Sequence, residues 1–245
     1  MSKLEVDTAR LPLLLHDLRL PAISRLWPEI AERAQRRMGR HLAESRLPPG
    51  KTLDSFDFAV VPMISKAHFM ALAAGDTWLE NGSNLLLFGP PGSGKTHAAA
   101  ALGRSLIENG YRALFMRTTD LVQRLQTARQ ALQLEAALVK LDKYDLLILD
   151  DLSYVTKDQA ETSVLFELIS ARYERRSLLI TANQPFSEWS KVFPDPAMTV
   201  AAIDRLVHHA TIFEMNVESY RRRTALGRKG STRKKPEPLT VASPA

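Results

Sequence analysis

The stretch from Asn84 to Thr96 reads NLLLFGPPGSGKT, an apolar run of strand type followed at once by the spacing G-x-x-x-x-G-K-T. A buried strand, a glycine-rich turn and the start of a helix are the context in which that spacing forms a phosphate-binding loop. At ordinary glycine and lysine usage, a chance match anywhere in the chain has a probability on the order of 1%. Glycines at Gly89, Gly92 and Gly94 let the backbone curl closely around phosphates with its N–H groups pointing inward. Lys95 offers a positive charge to the β and γ phosphates, and the Thr96 hydroxyl is placed to ligate magnesium at a helix N-terminus. Gly89, Pro90, Pro91, Gly92, Ser93, Gly94, Lys95 and Thr96 are therefore the candidate nucleotide-binding residues, and ATP with Mg2+ the expected ligand pair.

Outward from the loop, further apolar runs begin at Ala113 (ALFMR), Leu146 (LLILD), Leu178 (LLITAN) and Thr211 (TIFEM). They are continuously apolar instead of alternating, as strands buried on both faces are. Helical patterns at about 96–108, 118–142, 158–176 and 199–209 supply the crossovers, so the chain reads as an α/β protein with a mainly parallel sheet flanked by helices. Before Arg46, apolar residues at helical spacing are interrupted by Pro12, Pro21 and Pro28, which predicts short helices. Pro48, Pro49 and Gly50 mark a hinge. The expected organisation is a small helical N-terminal region (1–50), a nucleotide domain (51–217) and a basic tail (218–245) with too little apolar material to order by itself.

Composition narrows the function classes. The 245 residues hold no cysteine, which excludes disulfides, thiol nucleophiles and cysteine-bound metals. No apolar run reaches the roughly 18 to 20 residues of a membrane span and no signal pattern opens the chain, so a cytoplasmic location is expected. The net charge of +6 lies in the last 30 residues, which carry eight basic and two acidic side chains. A second basic zone, Arg33 to Lys51, has six basic residues against Glu44. Basic zones bracketing a mildly acidic centre suit a polyanion such as nucleic acid, the alternative being solvated helix faces and a tail. Arg36, Arg37 and Arg40 in the first zone and Arg221, Arg222 and Arg223 in the second are the candidate contacts.

LLILDD, from Leu146 to Asp151, fits the element that holds magnesium from a neighbouring strand end: Asp150 would reach the ion through water, and Asp151 would orient or deprotonate the attacking water. Many related ATPases carry glutamate at this second position. Asn183, closing LLITAN, either positions that water or is a plain capping or turn asparagine, the reading it would have if taken alone. Arg205, on a helix just before the last strand, either reaches a γ-phosphate held by a neighbouring subunit or pairs with Asp204 or another surface acid.

Together GKTLDSFDF, GPPGSGKTHAAAALG, KYDLLILDDLSYV, LLITANQPFSEWSKVFPDPAM and AIDRLVHHATIFEM, covering most of Lys51 to Arg223, resemble AAA+ ATPases of P-loop type. The resemblance is to the group containing the helicase loader DnaC and, more closely, the IstB transposition helpers of insertion sequences. It implies an AAA+ fold without a full lid domain, and a Mg2+-dependent ATPase whose active site is shared between subunits of a homo-oligomer. The catalytic residues it implies are Lys95, Asp151, Asn183 and Arg205, with Thr96 and Asp150 as metal ligands. It further implies assembly on DNA with a partner transposase. It places Phe56 and Phe58 in the segment that packs the N-terminal region near the base, where plain hydrophobic packing is the simpler reading. A DnaC-like loader, the alternative, would share every core residue but retain a replicative helicase. A phosphate-loop kinase would need an arginine-bearing lid, which no segment supplies. His208 and His209 read as packing or polar surface, and Trp78 and Trp189 as core anchors.

Overall fold

Five strands form where the apolar runs fall: β1 (Asn84–Phe88), β2 (Ala113–Arg117), β3 (Leu146–Asp150), β4 (Ser177–Ala182) and β5 (Ala210–Glu214). They pair in one wholly parallel sheet of order β2-β3-β4-β1-β5. The helices are α1 (Pro21–Glu44), α2 (Lys66–Ala74), α3 (Thr77–Glu80), α4 (Lys95–Glu108), α5 (Thr118–Gln130), α6 (Leu134–Leu141), α7 (Gln159–Arg172) and α8 (Pro196–Val207). The structure is a computed structural model, and it describes residues 17–18, 21–75, 77–152, 159–184, 188–189, 195–217 and 219–220.

Continuous apolar strands have two faces to cover, and alternate residues divide between them. Leu86, Phe88, Leu147, Leu149, Leu178 and Ile180 pack with α5, α7 and α8. Leu85, Leu87, Leu146, Ile148 and Leu179 pack with α2 and α4. At about 1.5–3 kcal/mol for each fully buried aliphatic side chain, these central strands hold the sheet against the helices on both sides. Trp189 is wholly buried and meets Phe88 at 6.1 Å, an anchor as expected. Trp78 is only partly buried and donates its indole N–H to the Leu72 carbonyl at 3.0 Å, so it ties the α2–α3 corner instead of filling the centre.

Three expectations need correction. The strand bearing Asp150 does not neighbour the strand that feeds the phosphate loop; β4 lies between them, pairing with both. The pattern at 118–142 is two helices. Around Leu132 (φ 56°) the amide of Gln133 bonds to the Ala128 carbonyl and that of Leu132 to Arg129. This is a left-handed helix stop made without glycine, which the sequence pattern does not reveal. Finally, α1 runs unbroken through Pro28. Proline removes one helical bond and bends the axis without having to end it, and residues 25–30 are exposed, so water can serve the carbonyl left over.

The far end of α1 is docked. Ser45, just beyond it, accepts from the Phe115 amide at 2.7 Å, covering the outer edge of β2, and Glu44 pairs with Arg112 at 3.2 Å.

Candidate active site

Strand β1 ends at Phe88 and the chain enters the loop with Gly89 (φ 149°), Gly92 (φ 85°) and Gly94 (φ 101°), all in the region that favours glycine. Closeness adds to conformation: a Cβ on Gly89 would lie 2.5 Å from the Met215 carbonyl oxygen, and one on Gly92 2.2 Å from the Ser219 hydroxyl. The chain after β5 thus runs back across the loop, bonded by Met215 N–H to the Phe88 carbonyl (2.7 Å) and Tyr220 N–H to the Gly92 carbonyl (3.0 Å). Lys95 is buried and its ammonium donates to the Gly89 and Pro90 carbonyls at 2.7 and 2.9 Å, which fixes its charge within the curl of the loop.

Because β4 lies between β1 and β3, its C-terminal end faces both the loop and the acidic pair. Thr181 uses that position. Its hydroxyl donates to Asp150 Oδ1 at 2.7 Å and accepts the Asp151 amide at 2.9 Å. The other Asp150 oxygen accepts the Thr96 hydroxyl at 3.3 Å, and the Asp150 carbonyl accepts from Thr118 at 3.1 Å. Asp151 adopts a left-handed backbone (φ 65°), which aspartate tolerates better than most residues. Its carboxylate accepts the Asn183 amide at 2.9 Å. Burial first, and the adjacent Asp150 second, push the Asp151 carboxyl above the ordinary aspartate value, against Lys95, the Asn183 bond and Arg117. Thr181 escaped sequence reading because a threonine in an apolar strand looks like a β-branched core residue.

Lys95, Thr96, Asp151, Thr181 and Asn183 line one cavity of about 440 Å³, within the range of about 300–1,000 Å³ usual for small-molecule sites. The hinge forms its far wall through Lys51, Ser55, Phe56, Val60 and Val61. His97, one helical position past Thr96, holds the hinge there: its Nε2 lies 3.2 Å from the Thr52 carbonyl and 3.1 Å from the Ser55 hydroxyl, and its ring meets Phe56 edge-on at 5.3 Å. Burial keeps the His97 pKa below its usual value, opposed by the bond to Thr52. Phe58 stacks edge-on against Phe56 at 4.8 Å. The donors around Asp150 are oxygen alone, a set that suits a hard ion such as Mg2+.

Arg205 is not brought to this cavity. Its carbonyl accepts from Asn84 at the start of β1, whereas the loop follows the end of that strand. Its guanidinium lies over the Phe166 ring at 5.2 Å and donates to the Ala201 carbonyl. Arg36, Arg37 and Arg40 are exposed on α1, with Arg36 paired to Glu32 at 2.6 Å. Arg221, Arg222 and Arg223 lie outside the described residues. No helix among the described residues is long and apolar enough to cross a membrane.

Residues 24–227 match the family model described as IstB-like ATP binding protein. An insertion sequence ATP-binding protein of Sinorhizobium fredii is 68% identical, the match covering 90% of this chain and 82% of that protein. The IS21 ATP-binding protein of Pseudomonas aeruginosa is 41% identical over 77% of this chain and 71% of its own. Among solved structures, that of the DnaC helicase loader superposes with a TM-score of 0.51 at 24% identity, covering 60% of this chain and 86% of the loader. At that identity the likeness speaks for the AAA+ fold alone.

Proposed function

Because the chain belongs to the family of IstB-like ATP binding proteins, we propose that it is a Mg2+-dependent ATPase that assembles on double-stranded DNA and assists the transposase of an insertion sequence. The observation that carries the ATPase reading is the run of hydrogen bonds from Thr96 through Asp150 and Thr181 to Asp151 and Asn183 along one wall of the phosphate-loop cavity. Lys95 and the loop amides bind the phosphates. Thr96 and Asp150 would hold Mg2+, which supplies charge to the transferring phosphoryl group when bound. Asp151, lining the same cavity, orients the attacking water, and Asn183 fixes the Asp151 carboxylate from the side of β4. Arg205, facing away from its own cavity, serves the site of the next copy. The basic zones and the insertion-sequence relatives support DNA and a transposase as partners.

Gel-shift and phosphate-release measurements on the full chain test this. We expect ATP to promote retardation of duplex DNA that weakens with added salt, and release of free phosphate that Lys95→Ala abolishes. Failure to bind duplex DNA with or without nucleotide would overturn the DNA role. A phosphorylated small molecule in place of free phosphate would overturn the ATPase.

A further inference from the structure

At the end of the sheet opposite the phosphate loop, two turns that are distant in sequence meet. Glu174 follows α7 in a left-handed conformation (φ 55°), and His208 and His209 follow α8. Glu174 Oε1 lies 3.5 Å from His208 Nδ1 and 3.6 Å from His209 Nε2, and the two imidazole rings are 4.0 Å apart. One ligand atom from each of the three residues falls within 4.8 Å of the others.

The geometry points to a binding site for a divalent transition cation of the zinc type, formed by Glu174, His208 and His209. Zinc bonds of about 2.0–2.2 Å to nitrogen and oxygen put neighbouring ligand atoms of a tetrahedron roughly 3.4 Å apart. Both edges through the Glu174 oxygen already have nearly that length. The third edge closes by turning an imidazole, and both rings are half exposed and can turn. Two imidazoles with one carboxylate form a set that zinc and its neighbours accept and that magnesium, which prefers oxygen alone, does not. The phenol of Tyr173, 2.8 Å from His208 Nδ1, is the group the ion displaces. Because the ligands come from the turns after α7 and after α8, the ion clamps the two helix ends together. Arg205 sits in the last turn of α8, three residues before His208, so the clamp fixes the end of the helix that carries it.

Calorimetric titration of the tag-free full chain with ZnCl2, in the absence of nucleotide, tests it. We expect one saturable equivalent whose affinity falls about 10-fold or more in each of Glu174→Gln, His208→Ala and His209→Ala. Asp150→Asn should leave the titration unchanged, which separates this site from the phosphate-loop cavity, and MgCl2 should not compete. All three ligands are half exposed, so the variants should fold; as a second readout, ZnCl2 should raise the Tm of the parent and not of the His208→Ala/His209→Ala double variant. Absence of saturable Zn2+ binding, survival of it in the double variant, or its loss in Asp150→Asn would overturn the site.

Discussion

Thr181 directs one hydroxyl to two acids, giving its proton to Asp150 and taking that of the Asp151 amide. A hydrogen bond to a charged group contributes about 1.5–3 kcal/mol, which expressed in the transition state is roughly 10- to 100-fold in rate. Thr181→Val keeps the β-branched shape the strand wants but loses both bonds, so hydrolysis should fall by about that factor, while Thr181→Ser retains most of it. Steady-state phosphate release beside fluorescent nucleotide binding checks the split, since binding should change little. Asp151 offers a pH test. Its carboxyl is raised by burial and by Asp150, so the folded state favours the protonated form. The stability it lends is complete below the ordinary aspartate value of 3.8 and is lost as pH rises through the raised one. Asp151→Asn should therefore raise the Tm at neutral pH, lose that advantage in acid, and abolish hydrolysis. The acid limb of the hydrolysis profile should lie above the usual aspartate range and move higher still in Asn183→Ala, because the Asn183 bond pulls the Asp151 value down.

At the scale of elements, one arginine organises the end of the sheet away from the loop. Arg172, the last residue of α7, is buried and donates to the carbonyls of Leu141, Tyr144 and Ser177, with Asp142 3.7 Å away. Burial pushes its pKa down to about 10, with Asp142 opposing the shift. Arg172→Ala would remove a hydrogen bond from each of three carbonyls, of which Leu141 keeps the Tyr144 amide, at a cost on the order of 3 kcal/mol, to be read as a lowered midpoint in urea unfolding. Nothing in the sequence marks this residue. The five strands were legible because burial on both faces leaves unbroken apolar runs, and the loop because its glycines and lysine have no other common use together. The break between α5 and α6 was not legible, since Leu132 occupies a left-handed position that sequence patterns assign to glycine. Nor were Thr181, His97 and the Glu174 cluster, whose partners lie 30 or more residues away; only the folded arrangement of distant segments brings them together. The bend-tolerant α1 shows the converse error, a proline read as a stop where exposure made it a detour.

For the whole molecule, the placement of Arg205 bears on the proposed sharing of the site between copies. The length of β1, roughly 16 Å for five extended residues, separates the level of Arg205 from that of the loop, more than an arginine side chain spans. Arg205→Ala should therefore leave ATP binding intact and abolish hydrolysis. Mixing it with Lys95→Ala should restore part of the activity if copies share sites as proposed, since a mixed assembly would pair an intact loop with an intact arginine. Phosphate release across mixing ratios checks this, and a flat, inactive series would place the arginine's action within its own chain. The contacts that Met215, Ser219 and Tyr220 make across the loop carry a consequence on the ribosome. The nucleotide cavity is walled by residues as far apart in sequence as Lys51 and Tyr220, so β1 and the loop are synthesised well before the pocket is complete. A nascent chain still holding Ser219 and Tyr220 in the exit tunnel has a phosphate loop whose Gly92 carbonyl lacks its partner, the Tyr220 amide.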